Sequence, residues 1–223
     1  MNRFLLILVL ISILSCCSNT PELETGEIKT LAVLDQALQK LSQPKQFIDA
    51  RTILNRKQID AANIPVLFVE LASGQNGTLT PYPGQGVGQT WLGADGATIT
   101  LEKGILKASR GMGDDLMGSS SSMPPWSKVN KKTENYSRKL THITGNNESY
   151  KRVFICDIEK TSSGEFIKIW DINFKVDKFE ESCSDGSFTF KNTYHVDTKR
   201  TVRRSSQYHS ETLGFILIER LDR

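Results

Sequence analysis

Histidine is scarce in this 223-residue chain, at three residues, and cysteine is limited to four. No two potential metal ligands stand at a zinc-type spacing, so a metal centre is not expected. The common catalytic signatures are missing too. There is no G-x-S-x-G elbow, no H-E-x-x-H helix and no G-x-x-x-x-G-K-[ST] loop. Gly84, Gly86 and Gly88 follow Pro81 and Pro83 instead of an apolar strand, the wrong setting for a dinucleotide loop. Charge of one sign is also lacking. Twenty-eight basic residues oppose 25 acidic ones, for a formal charge of +3. A nucleic-acid partner needs a strong basic field, and none is present. Beyond residue 17 no apolar run is long enough to cross a bilayer. No internal repeat period is evident.

What is present begins at the first residue. Met1 to Cys17 reads MNRFLLILVLISILSCC. One basic residue, Arg3, precedes an apolar run and then a small residue, Ser15, just before Cys16. This is the layout of a secretory signal peptide over residues 1–15. A cysteine directly after the small residue marks a bacterial lipoprotein. Cleavage between Ser15 and Cys16 would leave Cys16 to carry the lipid, whereas Cys17 would place a cysteine at the cut. Each buried methylene contributes about 0.8 kcal/mol, and several acyl chains together make attachment permanent. Cys17, Ser18 and Asn19 follow, without the aspartate that commonly holds lipoproteins in an inner membrane. The expected location is therefore the periplasmic face of an outer membrane.

Cys156 and Cys183 remain, and an exported chain meets an oxidising compartment. They are expected to form a disulfide, closing a loop of about 28 residues and stabilising the fold by about 3.5 kcal/mol. The alternative is two separate buried thiols.

Residues 16–26 are polar and form a tether. From Glu27 to Leu41, the residues Leu31, Leu34, Leu38 and Leu41 recur at helical spacing, with Val33 and Ala37 beside them, ending at Ser42 and Pro44. A second short helix is expected over Pro44–Asn55. Residues 27–223 read as a single β-rich periplasmic domain. Pro65–Leu71 has strand length, with turns at Ser73-Gly74 and Asn76-Gly77. Gln75–Gln89 is rich in glycine and proline and reads as loop. Thr90–Arg110 is a meander that breaks at Asp95-Gly96 and Lys103-Gly104. Gly111–Trp126 has no strand period and reads as a long loop. Strands are expected at Glu134–Thr144, Tyr150–Lys160, Phe166–Phe179, Ser187–Val196, Arg203–His209 and Gly214–Leu221, with a turn at Ser163-Gly164. In Phe166–Val176 the parity of Phe166, Trp170, Ile172 and Phe174 marks the apolar face. The fold class is mainly β: antiparallel sheets curled into a barrel- or sandwich-like body with a short N-terminal helix.

Candidate functional residues cluster in the loops. Asp95, Asp114 and Asp115 are the carboxylates from which a glycosidase-like pair would be drawn. Trp91 and Trp126 have faces that stack on sugars, or they serve as core anchors. Lys199, Arg200, Arg203 and Arg204 form a local basic cluster, either a solvated strand face or a contact for an anionic polysaccharide or headgroup.

Two stretches are distinctive. Thr90-Trp91-Leu92-Gly93-Ala94-Asp95-Gly96 leads through the meander to Arg110-Gly111-Met112-Gly113-Asp114-Asp115-Leu116-Met117. Phe190-Lys191-Asn192-Thr193-Tyr194-His195-Val196-Asp197 is followed by Ser205-Ser206-Gln207-Tyr208. With the lipobox, these resemble the YjbF/GfcB family of outer-membrane lipoproteins, over roughly Asn19 to Arg223. The second stretch departs from the family pattern at His195, where an aromatic is usual, and at Ser206, where arginine is usual. The resemblance implies an antiparallel β fold, encoding beside capsule or exopolysaccharide export genes, and no established catalysis. Gly111 and Gly113 allow backbone conformations that other residues avoid. Arg110 is expected to pair with Asp114 or Asp115 and pin the loop, either for folding or as a binding surface.

The reading is a non-enzymatic accessory of capsule or exopolysaccharide assembly or export. Its partners are the outer-membrane bilayer, export proteins or the glycan itself, and no cofactor is expected. The candidate surface comprises Trp91, Arg110, Asp114, Asp115, Met117 and Trp126. Two alternatives stand beside it: a polysaccharide-modifying enzyme using a carboxylate pair, and a barrel that carries a lipid or small ligand in an empty lumen.

Overall fold

Alternation of apolar and polar residues sets the architecture from Leu67 to Arg220. The structure is a computed structural model that describes residues 48–84, 88–129 and 132–223. The signal peptide, Cys16, the tether of residues 16–26 and the helix expected at 27–41 lie outside the described residues. Phe47–Arg223 forms a unit of its own.

Twelve antiparallel strands make one sheet: β1 (Leu67–Leu71), β2 (Asn76–Tyr82), β3 (Gln89–Gly93), β4 (Thr98–Glu102), β5 (Ile105–Arg110), β6 (Asp115–Ser121), β7 (Lys132–Ile143), β8 (Ser149–Ile169), β9 (Ile172–Ser184), β10 (Thr189–Asp197), β11 (Val202–Ser210) and β12 (Gly214–Arg220). From β1 to β5 and from β6 to β12 each strand pairs with the next in sequence, and β12 returns to pair with β1. The one sequential pair without a ladder is β5–β6, so these two are the sheet's edges. The sheet is a nearly closed barrel with a single seam.

The inner face is a continuous apolar core. It draws Leu67 and Val69 from β1, Phe154 and Cys156 from β8, Phe179 from β9, Tyr194 from β10 and Ile216 and Ile218 from β12. Phe68, lying between Leu67 and Val69, points the other way, as a two-residue period requires. It joins a second cluster with Ile59, Ile167, Ile169, Val176 and Leu221. Helices α1 (Ala50–Ile53) and α2 (Arg56–Ala62) contribute Ala50 and Ile59 to that outer cluster. Asn55 caps α2 reciprocally with Gln58, a capping box that fixes where the helix starts.

Four expectations need correction. Asn76–Tyr82, read as turn and loop, is strand β2, and the turn lies at Leu71–Gln75. Pro81 is tolerated because the ladder with β1 has already ended at Leu79. Asp115–Ser121, read as loop, is the edge strand β6. It has one strand partner, so little of it is buried and its alternation is faint. Ser163-Gly164 is not a turn. β8 runs through it as an irregularity, with Gly164 at φ +68°, and the reversal comes at Trp170-Asp171. The two-residue reversal, not the irregularity, sets the parity, because it pairs Ile169 with Ile172 and Ile167 with Phe174 on one face. Ile167 and Ile169 are buried while Phe166 is 71% exposed. Trp170 sits in the turn, edge-on to Phe68, and its indole N–H donates to the Leu54 carbonyl at 3.1 Å.

Candidate functional site

The seam between β5 and β6 is built from side chains in place of a ladder. Ser109 Oγ accepts the Leu116 amide at 2.9 Å. The Arg110 guanidinium donates to the Ser109 and Leu116 carbonyls at 2.5 and 2.9 Å. Between the strands the chain turns at Gly111 and Gly113, at φ +79° and +102°, where a side chain would be strained. The Asp115 carboxylate accepts the amides of Gly111 and Met112, both at 2.9 Å. The expected ion pair of Arg110 with Asp114 or Asp115 is therefore replaced. The cation serves carbonyls and the carboxylate serves amides, each satisfying backbone groups that a ladder would have paired.

Asp114 points elsewhere and accepts the Tyr150 hydroxyl at 3.1 Å. Burial, then Asp114, push that phenol up to about 12. Tyr150 stacks on His142, whose Nε2 lies 2.7 Å from the His209 carbonyl. His209 Nε2 in turn meets Ser109 Oγ at 2.7 Å. Burial, aided by His142, lowers His209 to about 4, so it is neutral near pH 7. Met117 stands 44% exposed on β6. Arg110, Asp114, Asp115 and Met117 thus come together at one seam.

Trp91 and Trp126 do not join them. Both belong to the core, at 3% and 4% exposed. Trp126 packs on Phe179 and Tyr194 and donates to the Lys103 carbonyl at 3.0 Å. Their size and apolar faces draw them inward, which corrects their assignment to an exposed loop surface. Asp95 accepts the Ala97 amide at 3.0 Å within its own hairpin turn. The basic cluster also divides. Arg203 is buried on Asp197 at 2.7 Å and Arg204 bonds Glu219 at 2.7 Å, whereas Lys199 and Arg200 are exposed in the β10–β11 turn.

Sequence reasoning missed a buried polar centre inside the barrel. Glu181 is fully buried. One of its oxygens accepts Tyr136 at 2.6 Å and Arg138 at 2.7 and 3.1 Å; the other accepts Asn192 at 2.7 Å and Tyr194 at 2.9 Å. Burial works against its charge, but Arg138 and these donors hold its carboxyl below the ordinary range. The signal was a shared inward parity: Tyr136 with Arg138, Glu181 with Cys183, Asn192 with Tyr194. Cys156 and Cys183 face each other across β8 and β9, Cα atoms 4.1 Å apart, and form a disulfide. Their sulfurs lie close to Glu181. With the sulfurs bonded and the carboxylate saturated by donors, this trio has no capacity for a metal ion.

Comparison with known proteins places this geometry. The family model of the group 4 capsule polysaccharide lipoprotein GfcB, YjbF, matches residues 31–221. The chain belongs to the YjbF family. Among solved structures, the hypothetical lipoprotein YmcC of Escherichia coli (K12) is similar in fold. Its TM-score is 0.66 at 16% identity, over 92% of this chain and 98% of that one. No curated protein matches the chain. As a YjbF lipoprotein it is membrane-anchored and associated with capsule polysaccharide. The R-G-x-G-x-D-L-M run that carried the resemblance is, in this YjbF protein, the barrel's closing stitch. The two departures, His195 and Ser206, lie on strands β10 and β11, with His195 beside Glu165 at 3.4 Å.

Proposed function

We propose that this protein is anchored through Cys16 to the periplasmic face of an outer membrane. There it assists capsule or exopolysaccharide assembly or export by contact, without catalysis. The observation that carries the reading is the family match across residues 31–221. The seam supports it. Asp95 and Asp115 are spent on backbone amides and Asp114 on a phenol, so none of the three stands ready as half of an acid–base pair. A lipid carrier is disfavoured by the barrel's middle, which Trp126, Phe154, Phe179 and Tyr194 fill.

The test is a strain lacking the gene, complemented with the wild type or with Cys16→Ala. Surface polysaccharide is expected to fall in the deletion strain, return with the wild type and stay low with Cys16→Ala. Its glycosidic linkages and substituents are expected to be the same in every strain. Altered linkages or substituents would instead identify a modifying enzyme.

A further inference from the structure

Among the described residues, one end of the barrel is not filled. Where β3 begins and β12 ends, the turns β4–β5 and β10–β11 lean together, and a cavity of about 480 Å³ opens between them. The turns meet tightly: a Cβ added to Gly104 would lie 2.3 Å from Val202. The walls are inward-facing core residues, Leu67, Trp91 and Ile218 among them.

Three features of this cavity point to a ligand. First, Trp91 lines it, is 3% exposed, and holds a buried indole N–H with no acceptor among the described residues. The indoles of Trp126 and Trp170 both have acceptors. A buried donor left without a partner is costly, and an acceptor brought against it relieves that cost. Second, Lys103, Arg200 and Arg220 line the cavity with one carboxylate, Glu102, which is already paired with Lys107 at 2.9 Å. Arg220 pairs with Asp222 at 2.8 Å and also lies over the Trp91 ring. Lys103 and Arg200 have no ion-pair partner among the described residues, so the cavity's field is positive. Third, its lining is more apolar than polar, which suits a ring with carbon-bound hydrogens better than a bare inorganic ion.

We propose that this cavity binds one carboxylated sugar residue of an acidic polysaccharide. The sugar ring lies against the Leu67–Trp91–Ile218 wall, an oxygen accepts the Trp91 indole N–H, and the carboxylate faces Lys103, Arg200 and Arg220. The proposal rests on the export reading above and adds to it a place and a ligand class.

The experiment follows tryptophan indole N–H resonances of the ¹⁵N-labelled, detergent-solubilised full lipoprotein during titration. The probes are galacturonate oligomers, neutral galactose oligomers and inorganic phosphate. The expected result is a saturable shift of the Trp91 resonance with the uronate alone, while Trp126 and Trp170 stay in place and report an intact fold. Arg200→Gln and Arg220→Gln are each expected to weaken the apparent affinity about tenfold, the worth of one charged hydrogen bond. Lys151→Gln, outside the cavity, is expected to change nothing. An equal response to the neutral sugar or to phosphate overturns the ligand class. A silent Trp91 with all probes overturns the site, and if the deletion strain still loses its polysaccharide, the export reading survives that failure. A Trp91 response in a protein whose deletion leaves export intact supports the site and overturns the export reading.

Discussion

At the scale of single residues, the least replaceable group is Glu181. It and Arg138 are both buried, and each neutralises the other inside the barrel. Removing one charge of such a pair strands the other, typically at a cost of about 3–5 kcal/mol. Glu181→Gln is therefore expected to lower the urea midpoint markedly, whereas Lys139→Gln on the exposed face is expected to be near neutral. The pH dependence has a definite sign. Glu181 titrates below its ordinary value of 4.5 in the fold, so its contribution is complete above 4.5 and is lost as pH falls through the lower folded value. His209 works in the same direction. Its folded value is about 4 against 6.5 when free, so acid favours the unfolded chain from about pH 6.5 downward. Denaturant midpoints are expected to fall between pH 7 and pH 5, and His209→Asn is expected to reduce that slope. An unchanged slope in the variant would show that His209 is not buried neutral.

At the scale of elements, the seam and the β8–β9 hairpin carry the argument. Arg110→Ala removes the guanidinium that bridges the edges at Leu116. The expected cost is about 1–3 kcal/mol, with faster hydrogen exchange at the Leu116, Gly111 and Met112 amides and little change in β9 or β10. Reduction of Cys156–Cys183 is expected to lower the melting temperature by several degrees, from a loss of about 3.5 kcal/mol on the chain-entropy model. An unchanged melt would mean that the thiols are free in the native protein. Most strands were legible because their burial alternates and their turns carry Asp-Gly or Lys-Gly. β6 was not, since an edge strand of small polar residues buries too little to show a period. The Ser163-Gly164 irregularity was not legible either, because glycine after serine signals a turn as readily as a break in register. The seam residues were visible as a motif, but their roles were not. Which group Arg110 bonds depends on a closure that only the whole sheet brings about.

At the scale of the whole described unit, a meander whose last strand returns to its first leaves a single place to close, and the distinctive motif sits there. Among the described residues, the core is packed through the middle and open at the Arg220 end, where the Trp91 indole has no acceptor and Lys103 and Arg200 have no ion-pair partner. That division separates what holds the barrel together from what is available to meet a ligand. Gly104→Ala probes the division. With φ +85° and Val202 in the way, it is expected to cost about 1–3 kcal/mol and to displace the turn that frames the cavity. Weakened uronate binding is expected to accompany it. All of this serves an export role only if the barrel is held at the envelope. The most direct test is mass spectrometry of the N-terminal peptide from density-separated membranes of the native cell. The account predicts a chain that begins at Cys16, carries several acyl groups on that residue and sediments with the outer membrane. An unacylated N-terminus, or a product found in the cytoplasm, would contradict it.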